Sequence, residues 1–288
     1  MEKVNLNIVA KKISELEYFP VPNSIVFTLL KTIVDKNCTF EDVAAVIELD
    51  ASLSFQILKI ANSAYFGFKS KIKTIDKAIM LVGIEEVRNL ALTLSLINQF
   101  KKIRLAKNFD FKRFWFHSLL CASCANMISK KNPIFEKETL YIMGLMHDLG
   151  RLIMAQIMPD QLNIILLKAR NKKLLPWEIE KETGILHTEI GKALSSRWSL
   201  TKEISEILAY HHNPTDSSEF FRECAIIKVA SQISKQLEIE DYGEVKIEPL
   251  DSKTLALAGV TYNDLNELLK KGKQLKEEAS ILTNILVN

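Results

Sequence analysis

The chain has 288 residues, 48% hydrophobic and 25% charged, enough for one large globular domain or two smaller ones. Its 38 basic and 35 acidic residues leave a net charge of +3, too balanced to imply nucleic acid or a membrane surface by itself. No apolar run reaches the roughly 20 residues that a membrane helix needs, and no apolar stretch follows Met1-Glu2-Lys3-Val4-Asn5 as it would in a signal peptide.

With 9 Gly and 7 Pro, and apolar residues at helical spacing almost throughout, the chain reads as all-α. Only Tyr242 to Ile247 tolerates a short extended piece. Pro22 suits a first helical position, with Ile25, Leu29 and Ile33 on one face. Thr39 can cap a helix through Leu49, and Asp50 the next, through about Ala61. Gly67 and Gly83 read as stops. A helix carrying Val87, Leu90, Ala91 and Leu94 runs to about Gln99. The polar stretch Lys101 to Asn108 suggests a subdomain boundary, giving 1–105, 106–245 and a tail, 246–288. Asp110 begins a second set of helices, and Pro159 and Pro176 each mark a start. The tail reads as one short and one long helix, the latter with a stripe of Leu265, Leu268, Leu275, Leu282 and Leu286. The expected compartment is the cytoplasm, where Cys38, Cys121, Cys124 and Cys224 are reduced thiols.

All five histidines lie in the second set. His117 shares an apolar stripe with Phe114, Cys121, Cys124 and Ile128. Leu140, Gly144 and His147 share a face, with Asp148 beside it. His187 aligns with Ile190, Leu194 and Trp198, and His211 with Ile204, Ile207 and Leu208; His212 follows. A lone buried histidine is ordinarily bonded to a carbonyl. Histidines from several helices aimed at one core, with an aspartate, are instead satisfied together by a cation. Imidazole and carboxylate suit one or two ions of Zn, Fe, Mn or Ni.

This pattern resembles the HD superfamily of metal-dependent phosphohydrolases. The resemblance places His117, His147 and Asp148 as ligands. It matches His187, His211 and His212 to the further histidines of the two-metal HD-GYP branch. Two departures stand out. Where that family carries a last aspartate, the chain reads Lys228-Val229-Ala230-Ser231, so Ser231 is a degenerate ligand position. No Gly-Tyr-Pro signature follows His211-His212, which disfavours cyclic dinucleotide hydrolysis.

From about Phe19 to Asn213 the chain resembles the HDOD family more closely. The resemblance rests on Phe19-Pro20-Val21-Pro22, Leu49 to Leu53, Leu58 to Gly67, Ile75 to Gly83, Val87 to Leu90, Phe114 to Ser118 and Gly144 to Gly150. It implies an N-terminal helical bundle packed on an HD-like bundle, followed by a helical tail. It also implies a bacterial signalling role without general enzymatic activity. No fused signalling domain is visible, so the chain is expected to act alone or through contacts with signalling proteins. The oligomeric state is not fixed by the sequence, and no catalytic residue is assigned.

Other features are open to two readings. Cys121 and Cys124 could join His117 as ligands, or be small core residues. Asn62, Ser63, Tyr65, Phe66 and Gly67 could form an interaction loop, or simply end a helix. Thr39 to Ala61 has the outline of a helix-turn-helix. Its second helix carries Lys59 as its main basic residue, which disfavours a nucleic-acid-binding regulator. A metal-dependent phosphohydrolase acting on a nucleotide or phosphate ester stands as the alternative function. In that case Glu182, Glu189 or Glu223 would supply the missing carboxylate.

Overall fold

The structure is a computed structural model that describes residues 24–34, 37–101, 104–131, 137–242, 247 and 249–287. The Phe19 to Pro22 motif and most of the Tyr242 to Ile247 segment lie outside these residues. Among the described residues every regular element is helical and none is a strand. The helices group into two compact units, one over Pro20–Lys102 with Ile281–Asn288, the other over Ile103–Ser280.

The first unit holds α1 (Ser24–Val34), α2 (Phe40–Glu48), α3 (Ala51–Ala61), α4 (Ile75–Val82) and α5 (Ile84–Lys101). The first four pack around α5, which is buried on nearly every side from Val87 to Ile97. The caps follow local chemistry. Thr39 and Asp42 form a reciprocal capping box at α2, and the Asp50 carboxylate accepts the amides of Ser52 and Leu53 at α3. Gly83 ends α4 at φ 101°, a value an L side chain resists. In α1 Val26 and Leu29 are buried and Ile25 is half-buried, while the side chain of Ile33 lies outside the described residues. Gly67 ends no helix. It lies at φ 62° in the turn that follows α3, which already ends at Asn62.

The second unit holds α6 (Phe111–Ser129), α7 (Lys137–Met146), α8 (Leu149–Ile157), α9 (Pro159–Lys172) and α10 (Pro176–Thr183). Then come α11 (His187–Arg197), α12 (Lys202–Tyr210), a short turn of 3-10 helix at Pro214–Asp216, α13 (Phe221–Tyr242) and α14 (Ser252–Leu257). The long α15 (Tyr262–Val287) starts in this unit, and its last residues are grouped with the first. Asp110 caps α6 by accepting the amide of Arg113. That helix is apolar around most of its circumference, so it sits in the middle, packed on α7 and α13. Helix α8 packs on α11, and α11 on α12.

Glycine sets two of these approaches. A Cβ on Gly144 would lie 2.6 Å from the Ala122 Cα, so α7 can reach α6 only without a side chain there. A Cβ on Gly150 would lie 2.0 Å from the His187 carbonyl oxygen. The bare backbone of Gly150 therefore lets the start of α11 come down beside Asp148. In the α15 stripe Leu268, Leu282 and Leu286 are buried, while Leu265 and Leu275 are half-buried.

Candidate metal centre

Side chains from several helix ends of the second unit converge. Atoms of Asp148, His187, His211 and His212 lie within 4.8 Å of one another, and so do atoms of His117, His147 and Asp148. Asp148 belongs to both groups. His147 and Asp148 sit in the turn between α7 and α8, and His211 and His212 in the turn after α12. Sequence periodicity extends the helices through His147 and His211. Each instead lies one position past its helix, where its ring bonds a carbonyl of the last turn.

Those bonds fix the tautomers. His147 Nδ1 faces the Gly144 carbonyl at 2.7 Å, and His211 Nδ1 faces the Ile207 carbonyl at 2.8 Å. A carbonyl only accepts, so both rings donate from Nδ1 and turn a bare Nε2 inward. His147 Nε2 is buried with no hydrogen-bond partner, as is His212 Nε2. Burial pushes His147 and His212 well below the usual histidine range and lowers His211 as well, so these rings are neutral.

His187 is the first residue of α11, and Leu186 before it supplies no side-chain cap. The cap comes from Glu180 in α10. One of its carboxylate oxygens accepts the His187 backbone N–H at 3.0 Å and also the ring Nδ1–H. His187 Nε2 then points at Asp148 Oδ1, 3.0 Å away, and at His211 Nε2, 3.3 Å away. Burial opposes charge on His187, but Glu180 and Asp148 outweigh it and raise the ring above the ordinary range.

Asp148 is the N-cap residue of α8 yet makes no capping bond. Its Oδ2 accepts from Arg151 Nη1 at 2.5 Å, which leaves Oδ1 toward the histidines without a well-directed hydrogen bond. Arg151 also donates from Nε to Glu180 Oε1 at 3.2 Å. Burial would raise both acids. Arg151 with the neighbouring histidines holds Asp148 well below the usual carboxylate range, and His187 with Arg151 holds Glu180 at about 2.

His117 enters from α6. Its Nδ1 pairs with Glu238 Oε1 at 2.5 Å, and its Nε2 lies 3.3 Å from Ser231 Oγ, both on α13. Trp177 stacks on the His212 ring at 3.9 Å between centroids, with the planes 5° apart.

The rings present fit a divalent transition metal. Several imidazoles with Nδ1 anchored and Nε2 bare, beside one ionised carboxylate, form the donor set such an ion takes, and Glu180 and Glu238 orient the rings from behind. Neither glutamate is apparent from the sequence, and the reading of the sequence also passes over Arg151 and Trp177. Of the carboxylates the sequence offers, Glu182 pairs with Lys172 at 2.8 Å on the surface, and Glu189 and Glu223 are outside both groups. Cys121 and Cys124 are also outside them. Both are fully buried, and burial pushes Cys124 up to about 12 and Cys121 well above the usual thiol range, as for core thiols.

In the first unit, the Asn62 side chain bonds the Leu58 carbonyl at 2.7 Å, and the Ile72 carbonyl and amide at 2.8 Å each. Its amide thus pins the loop. Tyr65 and Phe66 meet edge to face at 4.8 Å, and Gly67 is exposed.

The model of the HDOD domain family matches residues 19–214. An uncharacterised protein of Treponema pallidum (strain Nichols) is 24% identical over 219 residues, 74% of this chain and 41% of that one. The chain thus spans less than half the length of that relative. A crystal structure of an HDOD domain protein from Geobacter sulfurreducens has a TM-score of 0.78 at 20% identity, covering 98% of this chain and 97% of that one. One of a candidate signal transduction protein from Marinobacter aquaeolei VT8 has a TM-score of 0.84 at 18% identity, covering 98% and 65%. The helical fold is shared with both, and with its model matched over most of its length the chain belongs to the HDOD domain family.

Proposed function

We propose that this chain is a regulatory domain of bacterial signalling. Its HD-type core serves as a structural or ligand-sensing centre, and its helical surfaces engage other signalling proteins in the cytoplasm. Among the described residues no helix is long and apolar enough to cross a membrane. The observation that carries the reading is Ser231. It stands where an HD hydrolase carries its last carboxylate, and its hydroxyl bonds to His117 instead. Asp148 is then the one carboxylate in either group of converging side chains, and Arg151 holds it at 2.5 Å. A ligand set with so little negative charge, already balanced by a guanidinium, is poorly suited to holding a catalytic metal pair.

The bare Nε2 of His147 favours a second reading, a metal-dependent phosphohydrolase acting on a nucleotide or phosphate ester. There a metal would supply an activated water near neutral pH. His117, His147, Asp148, His187, His211 and His212 would hold it. Purified protein supplied with Mn, Fe or Zn and a panel of nucleotides and phosphodiesters separates the two. The regulatory reading expects no hydrolysis above that of the metal alone. Metal-dependent turnover that disappears in His147→Ala overturns it.

A further inference from the structure

The two groups that share Asp148 are not equivalent. In one, His187, His211 and His212 all keep a ring nitrogen directed at the others. His187 and His211 are anchored through Nδ1 by Glu180 and the Ile207 carbonyl, so Nε2 is the inward atom in each. His212 is oriented by its stacking on Trp177, and its Nε2 has no partner.

The other group is closed at His117. Glu238 takes the Nδ1–H, and the Ser231 hydroxyl, 3.3 Å from Nε2, is placed to donate to the remaining lone pair. That leaves His147 and Asp148, too few donors for a second transition-metal ion. Helix α13 also supplies charge here. Lys235 follows Ser231 by one turn and precedes Glu238 by three residues, so all three share a face. Its side chain is half-buried; burial lowers it below the usual lysine range, Asp148 and Glu238 oppose that, and its charge also reaches His212. A lysine on the Ser231 face of α13 thus competes for Asp148, the carboxylate that a second ion would need.

We infer that the centre takes a single divalent transition-metal ion, held by Asp148, His187, His211 and His212, and that Ser231 and Lys235 keep the His117 side closed to a second. The inference rests on reading the cluster as a metal site, and it holds whether or not the chain hydrolyses anything.

The test is metal content of the full chain after reconstitution with Mn(II) and desalting, read by elemental analysis and by the electron paramagnetic resonance of bound Mn(II). Wild type is expected to hold a single ion with an isolated-ion spectrum. His117→Gln keeps it, His212→Gln loses it, and Ser231→Asp combined with Lys235→Met gains a second, coupled ion. Circular dichroism of each variant separates loss of metal from loss of fold. No ion or a coupled pair in wild type overturns the inference. So does loss of the ion in folded His117→Gln, or a gain variant that stays at a single ion. A phosphodiesterase assay on the same samples judges the regulatory reading separately. A single ion with turnover sinks that reading alone, and an absent ion sinks this inference alone.

Discussion

The Ser231 hydroxyl lies 3.3 Å from His117 Nε2, while Glu238 grips the opposite nitrogen of the same ring at 2.5 Å. The two contacts differ in kind. Ser231 makes a neutral, slightly long hydrogen bond, whereas Glu238 is a buried carboxylate. Ser231→Ala should cost no more than about 1 kcal/mol, and Glu238→Ala about 1–3 kcal/mol, because it strands a buried ring N–H. Urea unfolding of both variants checks the order; equal losses would mean the serine matters more to stability than its geometry indicates.

Arg151 is the counter-ion of the whole cluster, reaching Asp148 Oδ2 at 2.5 Å and Glu180 Oε1 at 3.2 Å. Arg151→Met leaves two buried carboxylates facing each other through the histidines. The expected loss is about 3–5 kcal/mol, as when one member of a buried ion pair is removed. A divalent metal should restore part of it, so Mn(II) should raise the melting temperature of Arg151→Met more than that of wild type.

Glu180 both caps α11 and orients His187. Glu180→Gln keeps the shape and removes the charge, and metal affinity should fall about 10–100-fold, as for other outer-sphere partners of ligating histidines. The charge has a pH signature too. Glu180 is depressed from 4.5 to about 2, so the stability it contributes is present above its unfolded value and is lost as pH falls toward the folded one. Unfolding measured between about pH 5 and pH 2 should therefore slope less steeply in Glu180→Gln than in wild type.

Gly150 tests the backbone. Its missing Cβ would lie 2.0 Å from the His187 carbonyl oxygen and 2.7 Å from the Gly191 nitrogen. Neither atom is a flexible side-chain end, so Gly150→Ala must push α8 away from α11. The expected cost is about 1–3 kcal/mol or more, together with loss of metal binding, because Asp148 and His187 separate. An alanine variant with wild-type stability and metal content would refute the close approach.

Much of the fold was legible in the sequence because local chemistry dictates it. Apolar spacing gives the helices, Thr39, Asp50 and Asp110 cap them, and Pro159 and Pro176 start them. The histidines were equally legible as a group, since each falls on or next to an apolar face. The ends of elements were less so. His147 and His211 lie past their helices because their rings take over carbonyls of the last turn, which periodicity does not register. Arg151 could have been found from its i+3 spacing to Asp148. Glu180 and Glu238 could not. Glu182 lies two residues from Glu180 and is paired on the surface, and only packing decides which of the two turns inward.

Asp148 and the inward-facing nitrogens of His187, His211 and His212 are thus expected to hold a cation. Anomalous diffraction from crystals grown with Mn(II) or Zn(II), collected at the metal edge, tests it most directly. One peak is expected inside the cluster, about 2.0–2.2 Å from His187 Nε2 and His211 Nε2. No peak there, or a peak between His117 and His147, would contradict it.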